Sequence, residues 1–318
     1  MSATLPIDRL PLGRSELTVP RVALGCGNFG GVGSAPELFG QGLSEAEAFA
    51  LMDAAWEAGI EHFDTADAYG GGRSERMIGS WMQTRGVRPL ITTKTFNPMS
   101  AGGDLGLAPE RIFRQLESSL DRLDLDYVDL YLAHEFDPSV PLAETTGVFE
   151  DLRKAGKIRA YGVSNFNADQ LRAAVAAGAP SAIQNEHSLL ARADEADVLP
   201  LCSRAGVAYL VFSPLAGGWL TGKYRRGEAF PEGSRMTQRP EPYAPFMSDT
   251  TFDRLEALER LARGSERTIA GLALAWLLAD PRVTQIVVGP GRPQHLAPVR
   301  EALERPLSPG EREAVGRC

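Results

Sequence analysis

The sequence predicts an α/β protein, a (β/α)8 TIM barrel preceded by an N-terminal β-hairpin. Three observations carry that expectation. Short runs rich in Val, Ile and Tyr alternate with amphipathic stretches at helical spacing. The alternation repeats eight times, and strands alternating with helices imply parallel strands joined by right-handed crossovers, which suits a closed barrel better than two open sheets. The length of 318 residues accommodates one barrel of ~250 residues with insertions, although it also admits two domains of ~100–200 residues each. No linker or low-complexity tract interrupts the chain, so one domain over residues 1–318 is expected.

Residues 7–19 read as a hairpin turning at Gly13-Arg14-Ser15. With no helix after it, this hairpin is expected to plug one end of the barrel. Strands are expected at 21–25, 62–66, 89–94, 128–134, 158–165, 182–188, 208–215 and 285–289. Helices are expected at 44–57, 74–83, 109–120, 142–154, 168–177, 194–204, 269–278 and 293–301. Ser44 with Glu47 forms a capping-box pattern, Pro109 suits a first helical turn, and Gly59 and Gly156 stand where left-handed terminators belong. A long insertion rich in Gly, Pro and Arg, residues 216–249, separates the seventh and eighth strands; long loops of this kind are usually functional or mobile. After the last expected helix only residues 305–318 remain.

Composition narrows the function classes. Lys and Arg total 33 against 41 Asp and Glu, a net charge of −8 with no basic block, which argues against nucleic acid as a partner. Apolar residues at 43% and charged residues at 23% exclude a disordered or fibrous chain. No apolar run approaches the ~20 residues of a membrane span, and the N-terminus lacks a charged-then-apolar signal pattern, so no membrane association and a cytoplasmic location are expected. Cys26, Cys202 and Cys318 are too few and too scattered for a disulfide framework or zinc site, and no metal-ligand pair at i, i+4 occurs. Lysine appears only at positions 94, 154, 157 and 223, so 29 of the 33 basic residues are arginine.

The run Gly25-Cys26-Gly27-Asn28-Phe29-Gly30 fits the GxGxxG spacing of a phosphate-binding loop. That motif must open directly into a helix, and here it runs into Gly31-Val32-Gly33-Ser34-Ala35-Pro36. A glycine-rich loop at the mouth of the first barrel strand is the better reading, with Gly25 and Cys26 near a cofactor.

Catalytic groups of parallel barrels sit at the C-terminal ends of the strands. Those ends carry Asp64 and Tyr69, Lys94, His134, Ser164 and Asn165, Gln184, and Phe212 and Ser213. Lys94 is the strongest clue, because it ends an apolar strand in a chain that rarely uses lysine and a buried ammonium is costly unless paired. Asp64 is its natural partner. A cation beside a phenol favours the phenolate, so Lys94 is expected to lower the pKa of Tyr69 toward operating pH and make it a usable general acid. His134 would hydrogen-bond the same substrate oxygen, and charge would be stabilised as that oxygen becomes an alkoxide. Each residue alone has an ordinary structural reading, such as a solvated terminus, a packed histidine or a loop cap. Four of them at strand ends on one face are hard to explain that way.

Over nearly its whole length the chain resembles the aldo-keto reductases. The matching pieces are Phe63 to Gly70 with Ser74-Glu75, Thr92 to Lys94, Asp129 to His134, Gly162 to Phe166, Gln184 to Glu186, Phe212 to Gly218 and Leu220 to Lys223. The resemblance implies a hydride-transfer barrel with Asp64, Tyr69, Lys94 and His134 as its catalytic tetrad. It implies that Ser164, Asn165 and Gln184 hold the nicotinamide carboxamide and that Phe212 stacks on the ring. Ser213, Leu215, Gly217 and Gly218 would wrap the pyrophosphate, with Lys223 in the same loop and Gly289, Arg292 and His295 at the adenosine end. Many relatives place an arginine where this chain has Gly291, with Arg292 one position later; NADPH is favoured and NADH stays open. Asn28, Phe29, Glu135 and Phe136 are the expected substrate-side residues, Glu135 favouring hydroxylated or cationic over anionic carbonyl compounds. His187, where tyrosine is frequent, receives no role. The expected activity is reduction of an aldehyde or ketone, a sugar or other hydroxylated carbonyl included. The alternatives are a sugar or polyol dehydrogenase working oxidatively and a dinucleotide-binding regulatory subunit. Nothing in the sequence gives an oligomeric interface.

Overall fold

A computed structural model describes residues 4–318. Eight parallel strands close a barrel: β3 Val22–Gly25, β4 His62–Asp64, β5 Leu90–Thr95, β6 Val128–Ala133, β7 Ile158–Ser164, β8 Ala182–Glu186, β9 Ala208–Phe212 and β10 Val283–Val288. Each neighbours its successor in sequence, and β10 pairs with β3 to complete the ring. Every expected strand is present. Most end before the expected limit because the polar residues that follow turn away from the ladder.

Side-chain alternation builds two cores. On β6, Leu130 and Leu132 point into the barrel, while Tyr131 and Ala133 face the helices. The outer layer comprises α1 Glu45–Glu57, α2 Arg73–Arg85, α3 Pro109–Leu123, α4 Leu142–Lys154, α5 Ala168–Ala177, α6 Val198–Ala205, α7 Arg235–Gln238, α8 Asp249–Gly264, α9 Ile269–Leu278, α10 Ala297–Glu304 and α11 Pro309–Arg317. The Ser44–Glu47 capping box forms with both reciprocal bonds, and Pro109 opens α3.

The hairpin strands, β1 Arg9–Pro11 and β2 Thr18–Pro20, pair antiparallel. Leu12, Leu17 and Val19 enter the barrel floor against Leu130, Leu132, Ala160, Ala182, Ala208 and Leu210. Gly13 makes that fit: its φ is +56°, and a Cβ there would lie 2.1 Å from the Ser181 carbonyl oxygen. Above the plug, Gln285 Nε2 donates to His62 Nδ1 at 2.8 Å, which leaves His62 Nε2–H for Thr92 Oγ1, also at 2.8 Å. Burial pushes His62 down to about 4, so the ring stays neutral in the barrel interior. Leu12→Ala should lower unfolding free energy by about 2–5 kcal/mol, read by urea denaturation, because no neighbour can collapse into the space under a closed barrel. A loss no larger than that of an exposed leucine would show that the plug is not part of the core.

Three expectations need correction. The 216–249 insertion is not structureless. It contains two 3-10 segments, Ala216–Thr221 and Glu241–Phe246, and the short α7. It packs around fully buried Trp219, whose ring meets Tyr224, Phe230, Phe246 and Phe252 within 6.4 Å. The 16-residue α8, capped by Ser248 and burying Leu255, Leu258 and Ala262, was not expected. Residues 305–318 are not a bare tail either: α11 starts with a Ser308–Glu311 capping box and docks through Arg312, which donates to the Trp276 carbonyl and to Asp280. The glycine-rich run after β3 leads to no helix before α1, apart from a single 3-10 turn, Pro36–Leu38, and the closed barrel excludes a doubly wound sheet.

Candidate active site

The in-register pairing of β4 with β5 sets Asp64 beside Thr92, and Lys94 lies two residues further along β5. Both side chains turn into the C-terminal mouth. Lys94 Nζ donates to Asp64 Oδ1 at 2.5 Å and to the Thr65 carbonyl at 2.8 Å, with Lys94 fully buried. Gln184 Nε2 crosses from β8 to donate to Asp64 Oδ2 at 2.8 Å. Burial works against the ammonium's charge, but Asp64 and Tyr69 outweigh it and hold Lys94 above its usual value.

Tyr69 opens a one-turn 3-10 segment, Tyr69–Gly71. Gly70, at φ +58°, allows the turn because a Cβ would stand 2.8 Å from the carbonyl oxygens of Phe29 and Gly30. The half-buried phenol ring faces Lys94 Nζ 5.2 Å from its centroid and meets the His134 ring edge-on at 5.6 Å. Burial pushes the Tyr69 phenol above its usual range, and Lys94 opposes this without reversing it. The expected lowering toward neutral pH therefore does not occur. The phenol is desolvated, and Asp64 behind the ammonium cancels much of its field. Tyr69 is held as a protonated donor. Burial and the Lys94 charge drive His134 well below its ordinary value, so its imidazole is neutral. Asn97 Nδ2 lies 3.2 Å from His134 Nδ1.

The next strand ends continue the rim. Asn165, at φ +59°, donates through Nδ2 to the His134 carbonyl at 3.0 Å and to Glu135 Oε1 at 2.9 Å. Burial pushes Glu135 up to about 7, with the Asn165 bond working against it. Ser164 Oγ donates to the Gln184 carbonyl at 2.7 Å, so its proton is already used. Phe136, half-buried, packs edge-on against Phe166 at 5.4 Å.

Half-buried Phe212 ends β9, and the loop after it holds four left-handed residues: Ser213 at φ +54°, Ala216 at +48°, Gly217 at +62° and Gly218 at +97°. Tyr243, from the second 3-10 segment of the insertion, covers Gly217 so closely that a Cβ there would lie 2.3 Å from its ring. Lys223 lies against Gly218, and its charge reaches His295, whose ring accepts from Arg292 Nε at 2.9 Å. Leu215 packs onto the core, and Gly289 lies exposed just past β10.

Four expected site residues are placed otherwise. Phe29 is fully buried in the outer core and is not a substrate-side residue. Cys26 is also fully buried; its N–H goes to the Asp64 carbonyl, its carbonyl accepts from Ser74 Oγ, and nothing remains for a cofactor. Gly25 provides close approach to β10, where a Cβ would meet Val287 at 3.1 Å. Asn28 donates to the Pro290 carbonyl at 3.0 Å, tying two mouth loops together. His187 is a core residue: fully buried, it bonds the Ala191 carbonyl and packs against Tyr209 and Trp276. Sequence reasoning missed Asn97 and Tyr243. No local pattern marks either one, since each acts across the mouth. Among the described residues there is no metal-binding cluster, and no helix is long and apolar enough to cross a membrane.

A parallel barrel with this group of acid–base residues beside a left-handed loop flanked by cations defines a barrel oxidoreductase. Residues 21–318 match the model of the aldo/keto reductase family. The chain is 36% identical over 274 residues to a putative voltage-gated potassium channel subunit beta of Schizosaccharomyces pombe, covering 79% of this chain and 77% of that protein. It is 32% identical over 317 residues to an NADH-specific methylglyoxal reductase of Escherichia coli, covering 95% of each. The structure of a glycerol dehydrogenase of Gluconobacter oxydans superposes with a TM-score of 0.81 at 26% identity, over 99% of this chain and 94% of that one. The chain belongs to the aldo/keto reductase family and is an NAD(P)H-dependent oxidoreductase.

Proposed function

We propose that this protein reduces an aldehyde or ketone to the alcohol, with NADPH favoured and Tyr69 as general acid. The observation that carries this reading is the buried Lys94 clamped by Asp64 and facing the protonated phenol of Tyr69, with the neutral His134 ring alongside.

The residues present fit a nicotinamide dinucleotide. Asn165 spends both amide hydrogens on His134 and Glu135, which leaves its Oδ1 free to accept from a carboxamide. The left-handed turn at Ala216, Gly217 and Gly218, whose Ala216 and Gly218 N–H groups bond the Ser213 and Leu215 carbonyls, leaves glycine backbone without side chains where a phosphate could approach closely. Lys223, Arg292 and His295 converge beside it and suit phosphate; the guanidinium of Arg292 favours a 2′-phosphate. Phe212 offers an exposed edge for stacking. When bound, the cofactor supplies the hydride.

This chain's own residues manage the proton and the charge. His134, neutral, donates to the carbonyl oxygen and orients it. Tyr69 delivers its proton to that oxygen as negative charge develops. Lys94 stabilises the phenolate left behind, and Asp64, fixed by Gln184, keeps Lys94 charged and in place. Exclusion of water when substrate and cofactor fill the mouth would strengthen each of these interactions.

The test is consumption of NADPH and NADH against aldehydes, ketones and sugars, with the reverse reaction on polyols. NADPH oxidation with a carbonyl substrate is the expected result. In an Arg292→Ala variant the KM for NADPH should rise about tenfold or more, that for NADH changing little, since a charge-assisted bond is worth ~1.5–3 kcal/mol. Preference for NAD+ and polyols would reverse the direction, in line with the name of the Gluconobacter protein. Dinucleotide binding without turnover would favour a regulatory subunit, in line with the name of the Schizosaccharomyces protein.

A further inference from the structure

We propose that Asn97 is a positioning residue that locks His134 in the tautomer carrying its proton on Nε2. The inference rests on the role given to His134 above.

Asn97 stands two residues past the end of β5, on the loop that faces the end of β6. Its backbone is pinned from α3: Arg111 Nη2 donates to the Asn97 carbonyl at 2.7 Å. Arg111 is itself buried, and its Nη1 donates to Thr95 Oγ1 at 2.9 Å and to the Gly106 carbonyl at 3.0 Å. The His134 backbone is held on the same strand end by its N–H to the Thr95 carbonyl at 2.9 Å. Both partners are therefore placed by the β5–β6 edge, and their side chains meet at 3.2 Å between Asn97 Nδ2 and His134 Nδ1.

With the Asn97 amide nitrogen turned toward Nδ1, that ring nitrogen presents its lone pair to Asn97, because an amide nitrogen only donates. A neutral imidazole has a single proton, which then belongs to Nε2. A carbonyl oxygen in the mouth needs a donor, and only this tautomer offers one. The other tautomer would aim a lone pair at the substrate oxygen and repel it. Asn97 thus decides, from outside the reacting atoms, whether His134 is a donor at all.

The test uses the full-length protein labelled with 15N-histidine. It has four histidines, His62, His134, His187 and His295. The His134 signals are identified by their loss in His134→Gln, and long-range 15N–1H correlations report which ring nitrogen carries the proton. In the wild type the proton should reside on Nε2. Asn97→Asp replaces the donor with an acceptor and should move the proton to Nδ1, with kcat falling about 100-fold and dinucleotide Kd unchanged. Asn97→Ala should give a mixture of tautomers and a smaller loss, and it serves if the aspartate variant does not fold; circular dichroism and dinucleotide binding check both. A wild-type proton on Nδ1, or a tautomer that stays on Nε2 in both variants, overturns the proposal. If the tautomer moves as stated while carbonyl reduction is untouched, Asn97 sets the tautomer and it is the role of His134 that fails.

Discussion

Tyr69→Phe should reduce the rate of carbonyl reduction by about 10²–10⁴-fold, the usual contribution of a positioned proton donor. The substitution keeps the ring, so the edge-on contact with His134 and the approach of Lys94 to the ring face survive, and dinucleotide Kd should hold within about twofold. Only the hydroxyl is lost. Because burial holds the Tyr69 pKa above its ordinary value, the phenol is protonated throughout the neutral range. Its own titration should therefore leave reduction flat from weakly acid to neutral pH and lower it only on the alkaline side. The oxidative direction, which needs the phenolate, should rise over the same alkaline range. Single-turnover kinetics with preloaded cofactor separate this step from product release. A Tyr69→Phe protein that keeps a tenth or more of the single-turnover rate would remove Tyr69 from the role of acid.

Lys94→Met should cost about 3–5 kcal/mol of stability as well as activity, because it leaves the Asp64 carboxylate buried without its cation. Gln184 alone would remain as a side-chain donor to Asp64, and a neutral donor cannot offset a desolvated charge. Adding Asp64→Asn should restore most of the stability, since replacing both members of a buried pair is far less costly than removing one. Activity should not return, because the double variant still lacks a cation beside Tyr69. Urea denaturation and turnover on the two single variants and the double variant separate structure from chemistry. Recovery of activity in the double variant would mean that the pair serves folding alone. Additive stability losses would mean that Asp64 and Lys94 do not act as a unit.

Much of the barrel was legible because its signals are local. Short apolar runs rich in Val, Ile and Tyr marked all eight strands, and the capping pattern at Ser44–Glu47 marked α1. The same kinds of signal were present at α8 and α11. Ser248 with Leu255 and Leu258, and Ser308 with Glu311, follow the rules that found the other helices. They adjoin the Gly-, Pro- and Arg-rich insertion and the short C-terminal segment, where their caps have no barrel strand beside them to mark a helix. The residues of the acid–base cluster were legible from strand ends, but their electrostatics were not. Lys94 raised the expectation of a lowered phenol pKa, and the depth of Tyr69 with Asp64 behind Lys94 turned the shift the other way. Phe29 and Cys26 sit in a glycine-rich run that looks like a mouth loop, yet their side chains turn back into the core.

By itself the sequence determined the strand count, the plugging hairpin, and which polar residues stand at the strand ends, since each follows from neighbours a few positions apart. Only the tertiary structure decided which of those residues meet. Gln184 reaches Asp64 across 120 positions, Asn97 reaches His134 across 37, and Tyr243 covers Gly217 from within the insertion. These contacts exist because closing the sheet brings eight strand ends onto one rim. Hydrogen bonds and desolvation depend on distances of a few ångströms, which local sequence patterns do not encode.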